Sequence, residues 1–458
     1  MTGRAFFALL FLLVLAARLT HSGIIWVEEA YPAAAAIQML DGKVPYRDFV
    51  FDKPPLTPLL YLLWGARDGW PLRLAGAIFV TLVAWLLHGT ALRLWGETEA
   101  RWSAALLAFY LTFGVPAAVM ALAPDLLMLA PMCGAVWLAL RGDAFAGGVV
   151  AGLALLVHTK GVLALAAALL FHPRGAVRMI AGFAAPNLAA LAVFPGYVDQ
   201  VWIWGSRYAA DSFVANPLVE GLRRTLNWAG FHTTLVAGAA CYWWRERSSP
   251  ARRLAVWTLL ALVTVAAGWR FFPRYYFALL PPMILTASRG LSLLTPRRRA
   301  VALVLLLIPL ARFGPRYLTL ASGGDPQWSD IAMHRDSRAA AEIIRRHARP
   351  GDTLLVWGYR PDIYVLTRMP AGTPWLDSQP LTGVLADRHL TESRPTYPAS
   401  AAVNRRALAQ TRPGFIVDGL GVYNPRLSLA ADGGLGEWLR GYQEVGRTQW
   451  SIVYRRLQ

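Results

Sequence analysis

Lysine and cysteine are nearly absent from this chain. Across 458 residues only Lys43, Lys53 and Lys160 occur, and only Cys133 and Cys241. Both cysteines lie inside apolar runs, which argues against a disulfide framework and leaves the redox compartment unread. Charge is scarce as well: charged residues make up 16% of the chain against 56% hydrophobic, and the mean hydropathy is +0.40. That is too apolar for a soluble protein of this length and puts the chain in the membrane class. The formal net charge of +18 would suggest nucleic acid in a soluble protein. Here much of it sits in short loops between apolar spans, where it sets topology, so no nucleic-acid partner is expected.

By length and hydropathy the chain contains about eleven spans, at residues 4–19, 71–95, 102–115, 126–140, 145–157, 162–171, 177–194, 222–244, 254–268, 275–288 and 300–313. The first has the length of a signal peptide but no clear small-x-small cleavage site, and reads as an uncleaved span. Residues 56–66 and 196–220 read as interfacial helices, with Tyr61 and Trp64 as aromatic anchors. With the N-terminus in the cytoplasm, the cytoplasmic loops hold Arg93, Arg101, Arg141, Arg174, Arg178 and the arginines near 245–253 and 289–299. This is the positive-inside pattern. All three lysines then fall on the outer side, mixed with acids and aromatics, where an anionic head group would account for them. Arginine-rich codon usage with chance placement is the plainer alternative.

From about residue 316 the hydropathy drops. A helix at 338–348, a strand at 353–357, a helix at 401–410, a strand at 414–417 and a hairpin of 442–447 with 451–454 make a small α/β domain. The expected organisation is a transmembrane domain over 1–315 and an extracytoplasmic domain over 316–458.

One stretch does not belong to a simple membrane bundle. Between residues 26 and 58 stand Glu28, Glu29, Asp41, Lys43, Arg47, Asp48, Asp52 and Lys53. Paired carboxylates at the end of a first span are costly without a function, and the stretch reads as a catalytic loop. Its motifs are Glu28-Glu29-Ala30-Tyr31, D-G-K-V-P-Y-R-D-F at 41–49 and F-D-K-P-P-L at 51–56. Further on come H-T-K-G at 158–161, R-F-F-P-R-Y-Y-F-A-L-L-P-P at 270–282 and V-W-G-Y-R-P-D-I-Y at 356–364.

These residues resemble the GT-C fold glycosyltransferases, in the superfamily of protein O-mannosyltransferases and lipid A aminoarabinose transferases, and most of all its bacterial family-39-like branch. The resemblance implies a polytopic α-helical membrane protein, GT-C-like, with about eleven transmembrane helices and a small C-terminal extracytoplasmic α/β domain, in a bacterial inner membrane. It implies sugar transfer from a polyprenyl-phosphate donor to an extracytoplasmic glycan, lipid or protein. Family members carry an acidic pair, usually Asp-Glu, in the first outer loop; here both positions are Glu. The family's acidic-Lys-Pro-Pro motif falls on Asp52-Lys53-Pro54-Pro55, with the lysine near the donor phosphate.

The chemistry needs a positioned carboxylate to take the acceptor's proton and fixed cations to hold the leaving lipid phosphate. Direct displacement inverts the anomeric centre. Glu28 and Glu29 are the base candidates, with Glu28 favoured by the family pattern. Neighbours on a helix point about 100° apart, so one of the two faces the substrate; an acidic pair favoured by a helix dipole is the structural alternative. Lys53 sits on backbone stiffened by two prolines and suits a phosphate, although a snorkelling lysine has the same signature. Lys160, Arg270 and Arg274 are further phosphate candidates, and interfacial anchoring explains them equally well. Tyr46, Asp48, Asp52 and Asp125 are candidates for substrate contact or loop support, through an Asx-turn at Asp48 and helix capping at Asp125. His21, His158, Glu28, Glu29, Asp52 and Asp125 form no metal-ligand motif by spacing. A divalent metal is chemically open, and none is expected to be required. The alternative function is a transporter or flippase of lipid-linked saccharides, which would favour repeated halves and broken midplane helices. No repeat is visible, and the charges cluster at one face.

Overall fold

The computed structural model describes residues 2–212, 214–324 and 326–457. The first helix, Gly3–Leu19, starts at Thr2, whose hydroxyl accepts a hydrogen bond from the Ala5 amide at 3.4 Å. Near its far end the Arg18 side chain is fully buried and donates to the Val119 and Met120 carbonyls at 2.6 and 3.0 Å. That arginine therefore ties the first helix to the turn before Asp125 instead of marking a solvent-facing end.

Four helical segments are long and apolar enough to cross a membrane: Trp70–Leu94, Pro124–Arg141, Pro173–Val193 and Pro296–Ala321. Two shorter apolar helices, Ala144–Val157 and Thr159–Phe171, accompany them. The expectation of about eleven spans is not met by length and composition, because several apolar runs are broken. The run at 222–244 splits into Pro217–Phe231 and Thr233–Arg245 at His232, whose ring stacks on Trp228 with centroids 4.2 Å apart. The run at 275–288 opens as a tight 3₁₀ turn, Pro273–Leu279, before becoming the helix Leu280–Leu293. The expected domain boundary at 315/316 falls inside the helix Leu307–Ala321.

Helices approach closely through small residues, the usual device where lipid supplies no hydrophobic drive. A Cβ at Gly148 would lie 2.0 Å from the Met179 carbonyl oxygen, and one at Gly290 would lie 1.8 Å from that of Gly238. Any side chain at either position would force two helices apart.

The C-terminal part carries a four-stranded sheet of β1 (Leu354–Trp357), β2 (Phe415–Asp418), β3 (Tyr442–Arg447) and β4 (Ile452–Arg456), in the order β1-β2-β4-β3. These fall on the strands and hairpin expected at 353–357, 414–417, 442–447 and 451–454. β1 and β2 are parallel, with Leu354 opposite Phe415, and are buried along their whole length. Their continuous apolar runs reflect cover on both faces. The helix Ser329–His347 packs on this sheet through the buried Arg360, which donates to Asp336 and Ser451, both at 2.7 Å.

The opening loop is fastened to this C-terminal part by backbone and side-chain bonds. The Val50 amide donates to the Pro374 carbonyl at 2.7 Å. The Lys43 ammonium donates to the Ala371 carbonyl and the Ala371 amide to Gln38, both at 2.6 Å. Lys43 is thus spent on holding the loop.

Candidate active site

The helix Val27–Leu40 begins at Trp26, and its two glutamates part at once. Glu29 turns inward. Its carboxylate accepts from the Trp26 amide at 3.2 Å, the Leu122 amide at 3.0 Å, and Arg73 at 2.5 and 3.1 Å. The Glu29 and Arg73 side chains are both 0% exposed. With its lone pairs taken by four donors, Glu29 braces the first outer loop and has no room for a substrate proton. Of the two base candidates, it is the one that does not reach the cavity.

Glu28 points the other way, into a cavity of about 310 Å³. Asp52, Lys53, Asp125, His158 and Arg274 line the same cavity, joined by Tyr359 and Asp387 from the C-terminal part. Arg274 links two of these carboxylates, with Nη1 2.5 Å from Glu28 and Nε 3.5 Å from Asp125. Asp125 in turn lies 3.4 Å from His158 Nε2. In the same lining the Lys53 ammonium contacts Asp52 at 3.0 Å, while the other Asp52 oxygen is buried with no hydrogen-bond partner among the described residues. Tyr359 is half-buried at the cavity wall, and the desolvation there, followed by the nearby Asp52, Asp377 and Glu28 carboxylates, holds its phenol well above the usual range. Tyr359 therefore keeps its proton and offers the cavity a neutral donor.

The remaining expected residues have other places. Arg270 is buried and donates to Asp387 at 2.8 Å and to the Gly268, Tyr208 and Asp211 carbonyls. Its donors are committed, so it docks the C-terminal part and does not face a phosphate. Lys160 lies outside the cavity lining; its ammonium sits 3.3 Å from the Tyr275 ring centroid with no hydrogen-bond partner among the described residues. Tyr46 is a support: its φ of 66° is left-handed, its hydroxyl donates to the Lys53 carbonyl at 2.6 Å, and its own carbonyl accepts from Gln200 at 2.7 Å. It thereby sets the angle at which Lys53 leaves the loop. Asp48 closes a turn, accepting from the Val44 amide at 2.7 Å. Its bonds to Arg47 and to that amide hold its carboxyl down at about 2.

Of the six residues weighed for a metal, His21 contacts Arg316 at 3.1 Å and Glu29 is held by Arg73, both away from the cavity. Among the described residues no group of three or more His, Cys, Asp or Glu side chains is disposed to hold a metal ion. An apolar groove of about 870 Å³ begins at Leu56, three residues beyond Lys53, and continues along Leu60, Trp70, Leu74 and Ile78. Its walls also include Leu122 and Val157, next to the cavity residues Ala123 and His158.

The profile of the dolichyl-phosphate-mannose-protein mannosyltransferases matches residues 52–196. Among solved structures the chain is similar to ArnT from Cupriavidus metallidurans bound to undecaprenyl phosphate, at 17% identity and a TM-score of 0.62, over 100% of this chain and 99% of that one. This is the GT-C glycosyltransferase fold. A second similar structure is the oligosaccharyltransferase AglB from Archaeoglobus fulgidus in complex with an inhibitory peptide and a dolichol-phosphate. It is 12% identical with a TM-score of 0.50, over 98% of this chain and 74% of that one. No curated protein matches by sequence.

Within the GT-C frame, several residues of the cavity escape sequence reading. Tyr359, Gln379 and Asp387 come from more than 300 residues beyond Glu28, and only Tyr359 lies in a motif, V-W-G-Y-R-P-D. Arg73 had a usable signal, an arginine inside an otherwise apolar span, which predicts a buried partner.

Proposed function

We propose that this chain is an integral-membrane glycosyltransferase that moves a sugar from a polyprenyl-phosphate donor to an acceptor on the outer face of a bacterial inner membrane, with inversion. The observation that carries this reading is the convergence of Glu28, Lys53, Arg274 and Asp125 on one cavity beside an apolar groove. The bound undecaprenyl phosphate and dolichol-phosphate of the two similar structures support a lipid-phosphate donor.

In this mechanism the polyprenyl tail lies in the groove and its phosphate meets Lys53 and Arg274. A phosphate oxygen competes with Glu28 for the Arg274 guanidinium and releases the carboxylate. Glu28 then takes the proton of the acceptor hydroxyl as its oxygen attacks the anomeric carbon. The bond from that carbon to the phosphate oxygen breaks, and the phosphate leaves with the electron pair, its charge held by the two cations. Asp125 and His158 keep Arg274 in place. No metal is needed for these steps; activity restored to a chelated sample by Mn²⁺ or Mg²⁺ alone would overturn that. The topology belongs to the same proposal: about eleven crossings in which the shorter helices count, a cytoplasmic N-terminus, a membrane part over 1–315 and an extracytoplasmic part over 316–458.

The test is binding and turnover of a radiolabelled panel of undecaprenyl-phosphate sugars by the protein in nanodiscs. Lys53→Ala is expected to lose donor binding by about ten- to a hundred-fold, the worth of one charge-assisted hydrogen bond. Glu28→Gln is expected to bind donor and lose about 10²–10⁴-fold in turnover. Transfer unchanged in Glu28→Gln would sink the base assignment. No donor binding by well-folded wild type would move the reading to a transporter or flippase, to be followed in proteoliposomes.

A further inference from the structure

A second cavity, of about 370 Å³, adjoins the first. One wall is the outer helix Trp204–Ala210 with the turn Val198–Ile203 before it, and the other is the C-terminal stretch over 375–404. Tyr31, Asp52 and Gln379 line both cavities, so the two meet at Asp52. The second cavity shares no lining residue with the apolar groove, so a molecule filling it reaches the reaction cavity by a different wall.

The chemistry of the walls is mixed. Trp204 and Tyr397 form an aromatic corner, with ring centroids 5.3 Å apart at 58°, and Trp375 adds a third ring. Such faces pack against apolar C–H surfaces while the rim stays wet. Between them stand polar groups with capacity to spare. Asp377 accepts from the Gln379 amide through one oxygen at 2.7 Å, which leaves its other oxygen. Asn404 donates to the Pro380 carbonyl at 2.7 Å, which leaves its amide oxygen. Aromatic faces flanked by planar acceptors suit a ring with C–H faces and hydroxyl edges. They do not suit a lipid tail, which needs no polar partners.

Charge narrows the ligand further. Asp199 stands here against a single guanidinium, Arg207, and Asp52 is already paired with Lys53 at 3.0 Å, so the lining holds no cation to spare. A phosphorylated or uronic-acid ligand would enter without a counter-charge, while an uncharged or amine-bearing one needs none and keeps the aspartates as acceptors.

We propose that this second cavity is the acceptor subsite, and that it takes the hydroxyl-bearing rings of an uncharged or amine-bearing saccharide. The proposal rests on the glycosyl-transfer reading and deepens it by naming the acceptor class. The acceptor ring stacks at Trp204 and Tyr397, and its reactive hydroxyl passes Asp52 toward Glu28.

The test uses the full-length protein in nanodiscs and three probes: maltose, deacetylated chitobiose and glucose 6-phosphate, followed by ligand-observed NMR titration. Two variants are compared with wild type. Ser400→Trp fills the cavity from an exposed position, and Trp204→Ala removes the aromatic corner. Maltose or chitobiose is expected to bind wild type more tightly than glucose 6-phosphate does. Both variants are expected to weaken that binding at least ten-fold and to leave undecaprenyl phosphate binding unchanged. Tighter binding of glucose 6-phosphate, saccharide binding indifferent to both variants, or no saccharide binding to wild type would each overturn the proposal. Undecaprenyl phosphate binding is read in the same samples. Its absence from wild type, with saccharide binding intact and lost in Ser400→Trp, would sink the donor reading alone.

Discussion

Glu28 and Glu29 are adjacent and chemically identical, and the structure gives them opposite jobs, so substituting each by glutamine tells brace from base. Glu29 and Arg73 are both wholly buried, and Glu29 receives four hydrogen bonds. Glu29→Gln keeps the volume but leaves a buried guanidinium without its counter-charge and turns a donor amide toward donors. Breaking a buried pair from one side costs about 3–5 kcal/mol. For a chain of this size, with an unfolding entropy of about 2.1 cal/mol/K per residue, that is a fall of about 3–5 °C in melting temperature, measured by intrinsic fluorescence in nanodiscs. Glu29→Met combined with Arg73→Met removes both charges and is expected to recover much of the loss. Glu28 loses only its contact to Arg274, which keeps Asp125, so Glu28→Gln is expected to melt near wild type and to fail in turnover. The reasoning is refuted if Glu29→Gln melts like wild type and is inactive, or if Glu28→Gln remains active.

Two further outcomes follow from the contacts of the C-terminal part. Arg270→Ala removes one buried partner of Asp387, which keeps Arg388 at 3.0 Å and the Tyr208 hydroxyl at 3.3 Å. Because the carboxylate stays paired, the cost is expected to fall below the about 3–5 kcal/mol of a stranded buried charge and to appear as faster hydrogen exchange across residues 383–397 before global melting. Asp377 gives a pH signature. Burial first, and then the nearby Asp52, push its carboxyl from the usual 3.8 up to about 7. Between those values the folded chain keeps a proton that the unfolded chain has released. Stability from this group is therefore undiminished below about pH 4 and falls as pH rises toward 7, by up to about 4 kcal/mol. Asp377→Asn removes that loss, so the melting temperature of the variant relative to wild type is expected to rise from pH 5 to pH 8. A constant difference across that range would contradict it.

The two parallel strands and the terminal hairpin were legible because short strand-like runs bounded by turn residues carry their own signal. The first outer loop was legible for a similar reason, since ionisable residues packed between apolar spans are costly and ask for a purpose. What could not be read were partnerships across distance. Nothing local to Glu29 reveals Arg73, 44 residues on in the next long helix. Nothing local to Arg270 reveals Asp387, and so a structural clamp and a phosphate ligand look alike. Hydropathy also averages over breaks such as His232, where a single ring-stacked residue ends one helix and starts another, so the broken helices inside an apolar run could not be read.

The bonds from Lys43, Gln38 and Val50 to the stretch around Ala371 and Pro374 carry a lesson for protein engineering. The C-terminal part is not a module that can be exchanged between relatives as a cassette. Its edge completes the hydrogen bonding of a loop encoded some 320 residues earlier, so a chimera joined after Ala321 inherits one half of a lock and borrows the other. Productive recombination has to move residues 38–53 and 371–387 as a single unit of inheritance, although nearly the whole membrane part separates them in the sequence.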